Sequence, residues 1–237
     1  MMHSSSVPIL LTATIDPGDT PGVVLRDAEH RWEQYQSGLY FWLHRREVSR
    51  VVFCENSGFN VDYSPFKDEA AKLNKDLEII SYRNNLGSQL LGRGHGEGVI
   101  LLHALEHSQI LGQASAFYKV TGRLKVLNFD LLARLYDRTA TVISGRSFKK
   151  REWADTRFFK MDKHFYMDYL ASVHLEAQSA DFVLGEAYAR ALKGRNVSRF
   201  IPVPHIVGVS GSGIEYHDST LKYVAKTLLA IGGLYGI

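Results

Sequence analysis

Apolar residues follow two alternating patterns along the first half of the chain. Short apolar runs rich in β-forming residues predict four buried strands, over residues 7–15, 50–54, 77–82 and 116–120. Apolar residues at helical spacing predict helices over residues 27–46 and 65–74 and after residue 98. Strands that alternate with helices are typical of a mostly parallel sheet covered on both faces, so the sequence predicts a three-layer α/β/α fold.

The second half of the chain is less regular. Residues 140–144 and 157–160 are predicted strands, and residues 180–193 are a predicted helix in which Glu186 pairs with Arg190. Residues 200–209 are predicted as an edge strand because two prolines interrupt the run. An apolar stripe that begins at Leu221 predicts a last helix.

The length and charge of the chain exclude several classes of protein. Its 237 residues contain no repeat or linker, so we expect one domain over residues 1–237, with halves at about 7–132 and 133–237. The 28 basic and 25 acidic residues nearly cancel and are interspersed, which argues against a nucleic-acid binder. The one cysteine, Cys54, excludes an intrachain disulfide and most cysteine zinc sites, and favours a cytoplasmic protein.

The ends of the chain give no clear targeting signal. No run approaches the ~18 apolar residues of a membrane span, and the first residues lack the basic segment of a signal peptide. Residues 227–237 carry no charge and are mostly apolar. Such a segment docks on its own domain or contacts a partner or a membrane, and both alternatives stay open.

The densest chemical signal lies between the third strand and the following helix, in a predicted polar loop over residues 84–98. Glycines alternate there with charged side chains in Gly92, Arg93, Gly94, His95, Gly96 and Glu97. Glycine lets the backbone approach a ligand closely, and a helix N-terminus favours anions. The loop therefore predicts a site for a phosphate-bearing ligand, and the alternative is a glycine loop without a ligand.

A second signal follows the fourth strand, where Lys119, Thr121, Gly122 and Arg123 place two cations beside a hydroxyl and a turn. Arginine grips two phosphate oxygens at once and lysine adds a point charge, which suits a diphosphate. A solvated turn at the end of a strand is the alternative.

Other polar groups follow the remaining strands. Glu55, Asn56 and Ser57 end the second strand and suit contacts with a ribose or a base, or serve only to cap the strand. Asp155 suits a general base or an ion pair with Arg157. The ten histidines form no dense ligand set, so no metal site is predicted from them.

The order of these signals along the chain resembles that of the GT-A-type glycosyltransferases. The strings VVFCENSG, GRGHGEG and YKVTGR are similar to those of bacterial enzymes that build lipopolysaccharide, O-antigen or capsule chains. The resemblance covers residues 7–132, with weaker similarity over 155–157 and 208–213. It implies a GT-A-like fold with a Rossmann-like nucleotide-binding half, and a hexosyltransferase-like activity that moves a sugar from a nucleotide-sugar donor to a glycan or lipid-linked acceptor.

The same resemblance implies roles for individual residues. The donor would contact the strand-one residues Thr12, Ala13 and Thr14, together with the groups that follow strands two, three and four. Asp155 or Glu186 would be the catalytic base, and Arg157, Ser210 and Gly211 would lie on the acceptor side.

One departure from that family concerns the metal. The chain has no Asp-x-Asp motif, and Lys119 to Arg123 occupy its usual position. We expect Lys119, Arg123 and Arg93 to stabilise the departing diphosphate, so transfer is predicted to be metal-independent and no cofactor is predicted, although a divalent metal stays open.

Two other functions fit the same sequence. One is a nucleotidyltransferase or another nucleotide-dependent transferase, and the other is a nucleotide-sugar-binding protein without catalysis. We expect a cytoplasmic protein, with peripheral association at the inner face of a membrane left open, and the sequence predicts no oligomeric state.

Overall fold

The elements of the chain follow the predicted alternation of strands and helices. A computed structural model describes residues 7–84, 86–148, 151–211 and 213–232, without the side chains of 146–148 and 151. The strands are Ile9–Ala13 (β1), Arg50–Glu55 (β2), Asp76–Ser81 (β3), Ala116–Thr121 (β4), Leu124–Val126 (β5), Val142–Phe148 (β6), Arg151–Asp162 (β7), Ile206–Val209 (β8) and Glu215–Tyr216 (β9). The helices are Ala28–Leu43 (α1), Ser64–Lys72 (α2), Leu86–His107 (α3), Gln109–Gly112 (α4), Phe129–Leu135 (α5), Lys163–Tyr169 (α6), Leu184–Leu192 (α7) and Thr220–Ile231 (α8), with a 3₁₀ turn at Val173–Glu176.

The central sheet has six strands in the order β3-β2-β1-β4-β7-β6. The first four are parallel, while β7 runs antiparallel to both β4 and β6. One hydrophobic core lies between the sheet and α1, and a second lies between the opposite face and α3 with α7. The predicted three-layer α/β fold with a mostly parallel central sheet is therefore confirmed.

Every residue of β1 is buried, because helices cover both faces of the sheet. This burial explains why β1 appears in the sequence as a continuous apolar run rather than an alternating one. Cys54 in the neighbouring β2 is also buried, and burial raises the pKa of its thiol. The side chain is therefore a core residue.

The prediction of a loop over residues 84–98 is wrong. Helix α3 begins at Leu86, and only Gly92 interrupts it, with a φ of 79° that favours glycine. The other glycines of this stretch are packing positions, since a Cβ on Gly94 would lie 2.6 Å from the Phe182 carbonyl oxygen and a Cβ on Gly98 would overlap the His174 side chain.

Two predictions for the second half are also corrected. The prolines of residues 200–209 precede β8, which is the central strand of a separate sheet in the order β5-β8-β9 rather than an edge strand. Arg190 of α7 pairs with Glu176 at 2.8 Å, because the 3₁₀ turn lies beside this helix.

Among the described residues, no helix is both long enough and apolar enough to span a bilayer.

Candidate active site

A cavity of about 770 Å³ lies beyond the carboxyl ends of β1 and β4. The chain leaves β1 toward β2 on one side of the sheet, whereas β4 lies on the other side, and such a reversal in strand order opens a crevice for ligands in α/β sheets. The volume is within the range of about 300–1,000 Å³ that is common for small-molecule sites. The walls come from the turns after β1 and β4, helices α1, α3 and α8, strand β7, residues 180–185, and Ser210, Gly211, Ile214 and Tyr216.

Arg123 is a buried cation in the wall of this cavity. It is 3% exposed, and its contacts are a hydrogen bond from Nη1 to Gln34 Oε1 at 2.8 Å and the Tyr35 ring, whose centroid lies 5.5 Å away. Its buried Nε has no hydrogen-bond partner. Burial lowers the pKa of this guanidinium, and none of the ion pairs among the described residues includes it. A buried, uncompensated cation favours the binding of an anion.

Among the described residues, two further arginines of the cavity wall donate hydrogen bonds to neutral groups. Arg31 donates to the carbonyl oxygens of Thr14, Ile15 and Leu25, and Arg93 donates to the Gly22 carbonyl at 3.5 Å. As the described residues form it, the wall contains five Lys or Arg side chains and two carboxylates, Glu97 and Asp181. A chain whose formal charge is only +3 thus concentrates positive charge at one site.

The structure corrects the role expected for Lys119. Its side chain is fully buried and pairs with Glu97, and it also donates to the Thr156 carbonyl at 2.6 Å and to Thr121 Oγ1 at 3.3 Å. All three ammonium protons therefore have acceptors, and none is left for a diphosphate. Glu97, by contrast, lines the cavity with 26% of its side chain exposed, and its second oxygen accepts from Thr156 Oγ1 at 3.3 Å.

The group after β2 also differs from the prediction of a nucleoside contact. Glu55 is completely buried and accepts hydrogen bonds from the backbone N–H of Ile15, Ser57 and Gly58 and from the Ser57 hydroxyl. Asn56 accepts from Thr14 Oγ1 at 2.6 Å. The cavity wall, as the described residues form it, does not include Glu55, Asn56 or Ser57. Their hydrogen bonds instead hold the turn after β1 in place.

The predicted residues of strands one and four and of α3 divide into two groups. Those that line the cavity are Thr12, Ala13, Thr14, Arg93, Gly94, Gly96, Glu97, Thr121 and Arg123. Gly92, His95 and Gly122 serve packing instead. His95 Nδ1 lies 3.0 Å from the His174 carbonyl oxygen, and the Gly122 N–H donates to the Thr12 carbonyl at 2.9 Å.

The two carboxylates predicted as catalytic bases lie outside the main cavity wall formed by the described residues. Asp155 is held by Arg157, with Nε 2.7 Å from Oδ1, and it lines a smaller cavity of about 200 Å³. Burial works against the charge of Arg157, but the Asp155 carboxylate and the Tyr216 side chain together outweigh this effect and raise the pKa of the guanidinium. Glu186 lies on α7, away from the lining of both cavities as described. The acceptor-side residues Arg157, Ser210 and Gly211 do line the main cavity.

Helix α1 contributes site residues that sequence reasoning missed. Arg31, Gln34, Tyr35 and Gly38 follow one another at helical spacing and face the turns after β1 and β4. A Cβ on Gly38 would overlap the Gly122 carbonyl oxygen, so this glycine permits close contact with the turn that carries Arg123. The sequence did contain a signal for one of them, because Arg31 is a charged residue on the buried apolar stripe of a predicted amphipathic helix.

The side chains of the cavity do not form a metal site of the type that the resemblance implies. Of the two carboxylates that the described residues contribute to the cavity, Glu97 is already engaged by Lys119 and Thr156, and Asp181 belongs to a different segment. Across the described part of the chain, no group of three or more His, Cys, Asp or Glu side chains is arranged to hold a metal ion.

No family model matches the chain, and no curated protein matches it by sequence. It is similar to the solved structure of a 4-diphosphocytidyl-2C-methyl-D-erythritol synthase at 10% identity, over 94% of this chain and 99% of that chain, with a TM-score of 0.44. A protein from Bacillus anthracis assigned as a glucose-1-phosphate thymidylyltransferase is 10% identical over 94% of both chains, with a TM-score of 0.44. A cytidylyltransferase from Leptospira borgpetersenii is 11% identical over 96% of this chain and 95% of that chain, with a TM-score of 0.37.

None of these three proteins is named as a glycosyltransferase, and similarity at this level describes only the general course of the chain. Glycosyl transfer and a role in surface polysaccharides therefore stay predictions from the sequence.

Proposed function

We propose that the chain is a transferase whose main cavity binds a nucleotide through its phosphates. The observation that carries the proposal is Arg123, a buried cation in the cavity wall that belongs to none of the ion pairs among the described residues. A buried charge without a counter-charge is unfavourable. A phosphate group bound in the cavity supplies that counter-charge.

Within this class, the site favours glycosyl transfer from a nucleoside diphosphate sugar. The acceptor hydroxyl attacks the anomeric carbon, the bond from that carbon to the diphosphate oxygen breaks, and its electron pair leaves with the diphosphate. Glu97 is the proposed base that receives the proton of the hydroxyl, because it is the glutamate exposed in the cavity. Glu97 thus replaces Asp155 and Glu186 as the proposed base. Lys119 is a positioning residue that holds the Glu97 carboxylate.

The arginines of the cavity supply the charge stabilisation that the reaction needs. Negative charge grows on the departing diphosphate, and Arg123 with Arg93 and Arg31 presents fixed cations to it. Arg123 lies at the position where the resembling family has its metal-binding motif, and Arg31 of α1 and Arg93 of α3 line the same cavity. We propose that transfer continues in the presence of a chelator.

A second candidate is nucleotidyl transfer, in which a sugar phosphate attacks the α-phosphate of a nucleoside triphosphate and pyrophosphate leaves. Among the described residues, the cavity wall contains five cationic side chains, one of which, Arg157, is paired with Asp155, and such a wall suits two phosphorylated substrates. A phosphate nucleophile is already deprotonated, however, so this reaction gives Glu97 no proton to accept. The exposed carboxylate therefore favours glycosyl transfer.

The test is a panel of UDP-, GDP-, CMP- and dTDP-sugars and the corresponding triphosphates, with and without Mn²⁺. A ligand at ~100 times its dissociation constant stabilises the folded state by about 2.7 kcal/mol, which a thermal melt detects. We expect one nucleotide sugar to shift the melt and to be hydrolysed slowly, with release of nucleoside diphosphate and no loss of rate in EDTA.

The other outcomes separate the alternatives. Release of pyrophosphate from a triphosphate and a hexose 1-phosphate would establish nucleotidyl transfer instead. Binding without turnover across donors and acceptors would leave a nucleotide-sugar-binding protein. A melt that no nucleotide shifts would remove the basis of the proposal.

A further inference from the structure

A smaller cavity of about 200 Å³ adjoins the main one, and we call it the side cavity. The walls of the two cavities share Arg157, Tyr216 and Lys226. The pairing of β6 with β7 is interrupted at Ser144, which lines the side cavity, and such bulges are common beside active sites. Because its volume is below the range of about 300–1,000 Å³ that is common for drug-sized ligands, the side cavity suits a smaller group, such as one sugar.

The strand that borders the side cavity also contacts the proposed base. Asp155 and Arg157 of β7 line the side cavity. Thr156, which lies between them, donates from Oγ1 to Glu97 at 3.3 Å in the wall of the main cavity. Consecutive Cα atoms are only about 3.8 Å apart. A sugar in the side cavity is therefore close enough to present a hydroxyl to Glu97 past Arg157, which both cavities share.

The charges of the side cavity favour an anionic ligand. Among the described residues, its wall contains the cations Arg157, Lys222 and Lys226 and the carboxylates Asp155 and Glu215. Asp155 is already engaged, because it accepts hydrogen bonds from the backbone N–H, Nε and Nη2 of Arg157. Glu215 is directed largely to solvent, with 61% of its side chain exposed. Lys222 belongs to none of the ion pairs in the described part of the chain, so its charge is open to a ligand.

Aromatic side chains favour a sugar as the carrier of that negative charge. The rings of His205, Tyr216 and Tyr223 line the side cavity, and those of His205 and Tyr223 stack with centroids 4.6 Å apart. An aromatic ring offers a flat apolar face together with a polar edge. The C–H face of a sugar ring packs on such a face, while its hydroxyl groups form hydrogen bonds with the polar groups around it.

We propose that the side cavity binds an acidic sugar of the acceptor, one that carries a phosphate or a carboxylate group, while the main cavity holds the nucleotide sugar. The acidic group contacts Lys222, which supplies a point charge and hydrogen-bond donors. A hydroxyl of the same sugar then reaches Glu97. This inference rests on the proposed function, because it assigns the second substrate of that transfer.

The experiment is a ligand-observed NMR titration of the full chain with hexose 6-phosphates, hexuronic acids and uncharged hexoses, with and without nucleoside diphosphate. We expect an acidic sugar to bind at least about tenfold more tightly than the matching uncharged hexose, and nucleotide not to displace it. The preferred probe distinguishes a phosphate from a carboxylate.

Variants of Lys222 test the position of the site. Lys222→Met should raise the dissociation constant of the acidic sugar at least about tenfold, and Lys222→Arg should retain most of the binding. The melting temperature and the nucleotide affinity should not change, because Lys222 is exposed and lies outside the main cavity wall as described. Lys193→Met is the matched control, at an exposed lysine that lines neither cavity.

Each contrary result has a distinct meaning. Nucleotide binding without binding of any acidic sugar would overturn this proposal and leave the proposed function intact. Acidic sugars that bind equally well to Lys222→Met, or no better than uncharged hexoses, would also overturn it. So would acidic sugars that nucleotide displaces and Arg123→Met releases, because they would lie in the main cavity. If no nucleotide binds, the proposed function fails, and the side cavity is then not an acceptor site.

Discussion

Replacing Arg123 by methionine should weaken nucleotide binding while leaving the free protein about as stable as before. The variant loses the hydrogen bond from the Arg123 guanidinium to Gln34, and a hydrogen bond to a charged group contributes about 1.5–3 kcal/mol. It also removes a buried charge whose Nε has no partner, and burial already lowers the pKa of that charge. These two effects oppose each other, so we expect the free energy of unfolding without ligand to change by less than about 1 kcal/mol.

The effect on binding should be much larger. A hydrogen bond to a charged group contributes about 1.5–3 kcal/mol, so loss of the Arg123 contact should raise the dissociation constant of the nucleotide about 30-fold. A concentration that is ~100 times the wild-type constant is then only about three times that of the variant, and the stabilisation falls from about 2.7 to about 0.8 kcal/mol. For a chain of this length, the ligand-induced shift of the melting temperature should fall from about 5–10 °C to about 2–3 °C.

The assay is a thermal melt with and without the nucleotide, supported by calorimetric titration. Arg134→Met is the control, because Arg134 is a surface arginine that pairs with Glu47 far from the cavity. If Arg123→Met destabilised the free protein by several kcal/mol and left the ligand shift intact, Arg123 would be a structural residue and the reasoning would fail.

Three further predictions concern other parts of the site. Gly98→Ala should cost about 1–3 kcal/mol in a urea titration because its Cβ overlaps the His174 side chain, whereas Gly112→Ala, with open space around the Cβ, should cost less than about 0.5 kcal/mol. Glu97→Asp keeps the charge of the ion pair with Lys119 but withdraws the carboxylate from the cavity, so steady-state turnover should fall at least about 100-fold while the nucleotide affinity stays unchanged. The control Glu106→Asp, on the exposed face of α3, should change neither quantity. Burial lowers the pKa of His174, so its contribution to stability is complete above the unfolded value of about 6.5 and is lost as the pH falls. Urea midpoints should therefore depend on pH below that value less steeply in His174→Gln.

Each of these has a distinct contrary result. Equal stability of the two alanine variants would show that α3 moves to accommodate a side chain. A parallel loss of affinity and turnover in Glu97→Asp would assign the carboxylate to binding. Identical pH dependence of the wild type and His174→Gln would place the acid sensitivity elsewhere.

Strands β1, β2 and β4 could be predicted because burial on both faces makes them largely apolar runs. Strand β3 lies at the edge of the sheet and is only partly buried, and its β-forming residues alone predicted it. The glycine-rich part of α3 could not be predicted as helix, because glycine disfavours helices and the compensation is tertiary. That compensation is the close approach of residues 180–184 to Gly92 and Gly94, which permit it by having no side chain. Neither contact leaves a mark in the local sequence.

The candidate site shows the same limit. A mostly parallel sheet, which the sequence did predict, implies that the carboxyl ends of β1 and β4 lie at one edge, and the structure brings Thr14 and Arg123 together there. The predicted sheet gave no information on which side chains of the strands find partners in the helical layers. The charge of Lys119 is neutralised by Glu97, which lies on helix α3. The carboxylate of Glu55 accepts hydrogen bonds from backbone N–H groups of the turn after β2 and of the turn after β1. Residue type and strand register alone do not distinguish a free charge from a satisfied one.

The contacts of α1 have a consequence for amide hydrogen exchange. Arg31 binds the turn after β1, and Gln34 and Gly38 contact the turn that carries Arg123, so one helix holds both sides of the crevice. A ligand that bridges these turns makes any opening of α1 more costly, because opening then requires the ligand to leave. The amides of α1 should therefore exchange more slowly when the cavity is filled, although the helix backbone lies behind the cavity wall. Slower exchange in this helix would report occupancy without a label or a chemical assay.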